Sequence, residues 1–344
     1  MKFLHCADLH LDAALRSGLP AEKARERRSE LLSAFARLAD AAADSNASAV
    51  IIAGDLFDRS AVTLRTRRFV IETVASHPSV DFLLMPGNHD GRRFELGDAL
   101  PENLKLFGKS WTSFEYGDVV ITGATVCDPT SLSLDQSKIN IVVLHGADGQ
   151  DFKLRELKNL GIDYLALGHY HAFSETRLDR RGVACYSGCL EGRGFDECGE
   201  KGYVSLEFDG KKLSHEFVPC SDRVVSIIDV DLTEGKSLNA QRDIILASLD
   251  GVDRRGMVRV NVVGHYELGR ENYFDTIARE LEREFFYFEI TDSSILYIDP
   301  ADYKNDVSLK GEFIRICMKE ISDETERSRV ISCGIRALRG EELL

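Results

Sequence analysis

Five short apolar runs in the first half of the chain all end in the same way, and this repetition limits the possible folds more than any other feature. MKFLHCA is followed by Asp8 and His10, and AVIIA by Gly54, Asp55 and Asp58. FLLMP leads into Gly87, Asn88, His89 and Asp90, IVVL into His145 and Gly146, and YLAL into Gly168, His169 and His171. Helical patterns over Ala21 to Ser45 and Leu64 to Ser76 separate the first three runs, which predicts an alternating α/β fold. Val50 to Ala53, Phe82 to Met85 and Ile141 to Leu144 are apolar without alternation, as expected of strands covered on both faces. Ligands of such sheets gather outside the carboxyl ends of the strands, so five exits of this kind predict one polar rim.

Acids, an amide and imidazoles on one rim suit a centre for two divalent metal ions, which needs about four to six ligands per ion and a carboxylate to bridge them. Asp55 is the expected bridge, because Gly54 lets the backbone turn sharply where its strand ends. Asp8, His10 and His171 complete one ion, and Asn88, His145 and His169 the other. The DxH and HxH spacings put alternate residues of an extended segment on one side, so one short stretch supplies two ligands. The formal charge of −14 argues against a surface that binds nucleic acid indiscriminately. Divalent ions would still leave the pocket itself electropositive and able to hold a phosphate.

The ordered set DLH, GDLFD, GNHD, HG and GHYH resembles the calcineurin-like metallophosphoesterase superfamily over residues 1 to about 200. FLHCADLHLD, the GDLFD wording and the region beyond the motifs resemble its DNA-repair exonuclease branch, the SbcD-like nuclease subunits. The resemblance implies a four-layer αββα sandwich with two manganese ions between the sheets, although iron or zinc would fit the same ligands. It also implies cleavage of phosphodiester bonds in DNA and a partner ATPase of the SbcC-like coiled-coil type. His89 matches the histidine that protonates the leaving oxygen or stabilises charge on it, a task suited to an imidazole. Asp58 matches the second acid of the superfamily's GDxxD pattern and would support a histidine, where some repair-branch relatives carry a histidine instead. Arg59 matches the arginine that follows this pattern and would contact phosphate. Arg92 and Arg93, with Lys23 to Arg28 and Arg65, Arg67 and Arg68, flank the motif loops and could follow a DNA backbone.

The texture changes after Gly182, where YVSLEF and LSHEFV alternate around a hairpin signal at Asp209-Gly210. Three regions are expected: a metallophosphoesterase domain over 1–220, an α+β cap over 221–302, and a tail of two helices over 303–344. Phe313, Ile316, Ile321, Ile331 and Ile335 in that tail are candidate anchors for the ATPase, with packing on their own domain as the alternative. Phe69, Val70 and Val74, with the segment just after Asp90, suggest a homodimer interface, unless that stripe packs on the sheet. Cys185, Cys189 and Cys198 form the only cysteine cluster and match no common zinc spacing, so the eight cysteines read as free thiols. No run is long enough to span a membrane and the N-terminus is unlike a signal peptide, which predicts a cytoplasmic protein. The leading function is a manganese-dependent DNA nuclease in a break-repair complex. A phosphatase or cyclic-nucleotide phosphodiesterase is the alternative, and a catalytically silent scaffold the third reading.

Overall fold

Phe3 and Ala7 point to one side of the first strand and Leu4 and Cys6 to the other, and this alternation sets up the layers of the fold. The computed structural model describes residues 1–15, 18–58, 62–88, 90, 100–267 and 273–338. They form two units, Met1–Val225 and Ser226–Leu344. In chain order the first unit begins β1 (Lys2–Cys6), α1 (Ala21–Asp44), β2 (Ala47–Ala53), α2 (Leu64–Ala75), β3 (Asp81–Met85), β4 (Leu104–Leu106), β5 (Thr112–Tyr116) and β6 (Val119–Gly123). It continues with β7 (Ile139–His145), α3 (Leu154–Leu157), β8 (Tyr164–Gly168), β9 (Ser174–Arg177), β10 (Val183–Tyr186), β11 (Gly202–Phe208) and β12 (Leu213–Pro219).

Two six-stranded sheets result, in the orders β12-β11-β1-β2-β3-β4 and β5-β6-β7-β8-β10-β9. The run from β1 to β4 is parallel, as is the run β6-β7-β8-β10. The five apolar runs of the sequence are therefore split, three in one sheet and two in the other. Phe3, Ile51 and Leu83 of the first sheet meet Ile121, Ile141 and Val143 of the second in a buried layer between them. Leu31, Phe35 and Leu38 of α1 cover the far side of the first sheet, and Val70 and Val74 of α2 lie in the same cluster. Each such side chain stabilises the fold by roughly 1.5–3 kcal/mol when fully buried. On the far side of the second sheet, Leu144, Leu165 and Leu167 pack under Phe152, Leu157 and Leu178. The architecture is α/β with four layers, the fourth reduced to α3, a single turn at Pro129–Ser131 and loops.

Local chemistry explains the boundaries. The Thr63 hydroxyl accepts from the N–H of Thr66 and starts α2. Asp209 accepts from the N–H groups of Lys211 and Lys212, closing the β11–β12 hairpin at the expected dipeptide.

The second unit takes up β13 (Val225–Asp231) and adds α4 (Leu238–Ser248), β14 (Met257–Val263), β15 (His265–Glu267), α5 (Phe274–Leu281) and β16 (Tyr287–Asp292). It ends with β17 (Ile295–Tyr297), α6 (Pro300–Tyr303), α7 (Leu309–Glu320) and α8 (Glu324–Leu338). Strands β13, β14 and β16 form a three-stranded sheet, and β15 pairs with β17. The two three-residue strands are too short to show alternation in sequence.

Two surface expectations are corrected here. Ile331 and Ile335 are buried with Leu296, Ile298, Ile314 and Cys317, and Phe313 and Ile321 pack partly against them, so most of the proposed anchor face closes on its own unit. Only Ile316 of that set is exposed. Val70 and Val74 are buried in the core and Phe69 packs against it, which removes the apolar stripe expected at a dimer interface. No helix among the described residues is long and apolar enough to cross a membrane.

Candidate metal centre

The chain leaves β1 and β2 side by side and stays paired beyond the strands. The N–H of Asp8 donates to Gly54 O at 3.0 Å and that of His10 to Asp55 O at 3.0 Å. Asp8, His10, Asp55 and His169 all have positive φ, at 54°, 44°, 51° and 118°, a conformation that non-glycine residues adopt mainly where the surroundings enforce it. Two glycines are required by the crowding. Gly54 has φ +95° and a Cβ there would stand 2.1 Å from His145 Nδ1, while a Cβ at Gly87 would stand 2.2 Å from Asp55 Oδ1.

Six of the seven sequence-predicted ligands converge. Asp8 is buried and accepts the N–H of His169 on both oxygens, at 2.9 Å each. Asp55 Oδ2 lies 3.3 Å from His145 Nε2 and 3.9 Å from His10 Nε2, between the two groups of donors. Asn88 Oδ1 lies 2.8 Å from His145 Nε2, and His10 Nε2 lies 3.1 Å from His171 Nε2. Asp8, His10 and His171 form one cluster able to hold a metal ion, and Asp8, Asp55 and His145 a second. Asp8 is thus shared by both, beside the bridge expected at Asp55. His169 stands further out, its ring 5.8 Å from that of His145, and belongs to neither cluster.

The tautomers of two of these imidazoles follow from their partners. His145 Nδ1 lies 2.8 Å from Ala53 O, which can only accept, so Nδ1 carries the hydrogen and the neutral ring turns a lone pair toward Asn88 and Asp55. His171 Nδ1 lies 2.6 Å from Glu197 Oε1, so its Nε2 lone pair faces His10. At the first contact the lone pairs of His145, Asn88 and Asp55 meet and a cation between them relieves the repulsion, whereas at the second a hydrogen on His10 Nε2 or a shared cation joins the two nitrogens. A proton serves at His145, where burial opposes charge but Asp55 and then Asp8 outweigh it and raise the pKa to about 9. Burial raises Asp8 to about 6 despite neighbouring His145 and the His169 N–H. Oxygen and imidazole donors in this number fit divalent metal ions equally well.

Of the other expected residues, His89, Arg59, Arg92 and Arg93 lie outside the described residues. Asp58, expected to support a histidine, has its Oδ1 3.4 Å from His10 Nδ1 and 3.2 Å from Arg193 Nη1 among the described contacts. Arg27, counted among basic residues that could follow DNA, is buried instead, donating to Gly192 O at 2.6 Å and to Glu191 at 3.2 Å. All eight cysteines are free.

Three residues to which the sequence assigns no role also contribute. Asp90 is buried and accepts from the N–H groups of Gly87, Phe57 and Leu56 at 2.8, 2.8 and 3.3 Å, tying the two motif loops together. Burial raises its pKa to about 6 against those bonds. Its place in GNHD was a usable signal. Glu197 and Arg193 lie beyond the motifs, in CLEGRGFDECGEKGY, and no spacing rule marks them.

A calcineurin-like phosphoesterase family model matches residues 1–173, the stretch that contains all five strand exits. The chain belongs to this family and is a metal-dependent hydrolase. Members of the family use a dimetal site, and this chain supplies candidate ligands for one. It is 26% identical over 285 residues to the uncharacterized metallophosphoesterase YhaO of Bacillus subtilis, covering 74% of this chain and 69% of that protein. It is 24% identical to the DNA double-strand break repair protein Mre11 of Archaeoglobus fulgidus, over 100% of this chain and 73% of that protein. A solved dimetal phosphatase from Danio rerio overlaps 63% of this chain and 95% of its own at 11% identity and a TM-score of 0.43, too weak a likeness to bear on function.

Proposed function

We propose that the protein is a two-metal DNA nuclease, the hydrolytic subunit of a double-strand-break repair complex. The observation that supports DNA over a smaller ester is the extent of the likeness to Mre11, which takes in the whole chain and so the second unit as well. In this reading Asp8, His10 and His171 hold one ion, Asn88, His145 and His169 the other, and Asp55 lies between them. The two ions, manganese in this reading, supply charge neutralisation at the phosphate and a nucleophile at neutral pH. His145, with Nδ1 committed to Ala53 O, keeps Nε2 turned to the centre. Asp90 keeps Asn88 and Asp55 in register by fixing the loops that carry them. His89 protonates the leaving oxygen, and Arg59, Arg92 and Arg93 contact phosphates of the substrate.

A coiled-coil ATPase partner would meet the exposed side of α7, where Leu309 and Ile316 stand two turns apart, rather than the buried face of α8. A homodimer now rests on the family resemblance alone, because the α2 stripe packs on the core and the segment just after Asp90 lies outside the described residues.

The charge of −14 favours a second reading, a phosphodiesterase or phosphatase for a small ester. Hydrolysis of linear duplex DNA, single-stranded DNA and bis-p-nitrophenyl phosphate by the purified protein, each with Mn²⁺, Mg²⁺ or EDTA, separates the two. Cutting of DNA with Mn²⁺ and none in EDTA supports the nuclease. Turnover of the small ester with DNA left intact supports the second reading.

A further inference from the structure

Five side chains from four separate stretches close into a ring. Asp58 Oδ1 lies 3.4 Å from His10 Nδ1 and 3.2 Å from Arg193 Nη1. Arg193 Nη2 lies 2.6 Å from Glu197 Oε1, and the same oxygen lies 2.6 Å from His171 Nδ1. His171 Nε2 then faces His10 Nε2 at 3.1 Å and completes the circuit. We propose that Arg193 and Glu197 are positioning residues of the metal centre, forming with Asp58 a carboxylate–guanidinium–carboxylate clamp that holds His10 and His171 as a preformed pair of ligands.

This rests on the two-metal reading of the site. With their Nε2 atoms 3.1 Å apart and their Nδ1 atoms facing carboxylates, His10 and His171 would together be able to ligate a single ion. Glu197 is buried and fully engaged, accepting also from Arg193 N at 2.7 Å and Arg193 Nε at 3.0 Å. Arg193 Nη2 approaches His171 Nδ1 to 3.2 Å, but the 2.6 Å bond to a carboxylate, which only accepts, decides that Nδ1 is the protonated nitrogen. An ion pair serving the fold alone would need only Arg193 and Glu197. Here each carboxylate also approaches a different imidazole, Asp58 that of His10 and Glu197 that of His171, and the planar guanidinium of Arg193 reaches both carboxylates.

The segment behind the clamp is itself fastened. Lys201 Nζ donates to His171 O at 3.0 Å, and the buried Arg27 holds Glu191 and Gly192, just before Arg193. Carboxylate support of this kind raises the basicity of a ligating imidazole, and its removal typically weakens metal binding by about 10–100-fold.

The test is a titration of the metal-free full chain with Mn²⁺, following free Mn²⁺ by electron paramagnetic resonance, for wild type, Glu197→Gln and Arg193→Lys. Thermal unfolding in EDTA is measured beside it. The expected result is two ions in wild type and, in each variant, one ion weakened by at least about 10-fold with the other unchanged. Arg193→Lys keeps a charge for Glu197 but cannot span to Asp58, so it remains informative if Glu197→Gln does not fold. Two ions bound as in wild type by the folded variants would overturn the clamp, as would equal weakening of both ions together with loss of metal-free stability. Fewer than two ions in wild type would overturn the two-metal reading itself, and the clamp with it.

Discussion

Left-handed backbone at Asp8, His10 and Asp55 costs of order 1–3 kcal/mol per residue and is kept because it turns three donors toward one point at the ends of two strands. The same crowding makes Gly54→Ala a sharp probe. Its Cβ would overlap the His145 ring at a φ of +95°, so the variant should lose metal-dependent hydrolysis and at least about 1 kcal/mol of stability, read by activity and urea denaturation. Protons compete with metal at the same atoms. Asp8, raised to about 6, and His145, raised to about 9, must both be deprotonated to act as ligands, so metal affinity should climb as pH rises from 6 to 9. Calorimetric titrations with Mn²⁺ at three pH values check this, and a flat profile would contradict it. His5, inside β1, gives a separate pH dependence. It is buried between the sheets with Nδ1 2.9 Å from the Tyr164 hydroxyl, and burial lowers its pKa to about 3. Because the folded value lies below the unfolded one, near 6.5, this contribution is complete above pH 6.5 and is lost as pH falls toward 3, by up to about 1.4 kcal/mol per pH unit. His5→Gln should therefore show a smaller drop in unfolding free energy between pH 7 and pH 5 than wild type.

Loops rather than strands hold the centre together at the scale of elements, and Asp90 is the joint between two of them. Replacing it by Ala would leave the N–H groups of Leu56, Phe57 and Gly87 without this acceptor, each worth about 1–3 kcal/mol if it stays buried and unpaired. Asp90→Ala should unfold at lower denaturant and bind metal more weakly than Asp90→Asn, which keeps one acceptor oxygen. Equal behaviour of the two variants would mean that the carboxylate does not organise the loops. The strand exits were legible in the sequence because each donor directly follows an apolar run. Their division between two sheets came only from the family resemblance, since an unbroken apolar strand reports burial on both faces and not the identity of its neighbours. Glu197 was not legible, because its partner His171 is 26 positions away and only the folded loop brings the carboxylate to the ring. Ile331 and Ile335 were misassigned for a related reason. An apolar face at helical spacing looks the same whether it packs on its own unit or on a partner.

At the scale of the whole molecule, the donors all lie in the unit Met1–Val225, while the likeness to Mre11 extends through Ser226–Leu344. A chain ending at Val225 should then still hydrolyse bis-p-nitrophenyl phosphate with Mn²⁺ and lose activity on duplex DNA. Retained DNA cleavage would assign the substrate preference to the first unit alone. The centre itself is tested most directly by anomalous diffraction from crystals grown with Mn²⁺. Two peaks about 3.5–4 Å apart are expected, one among Asp8, His10 and His171 and one beside Asn88 and His145, with Asp55 between them. A single peak, or peaks away from these side chains, would contradict the two-metal centre.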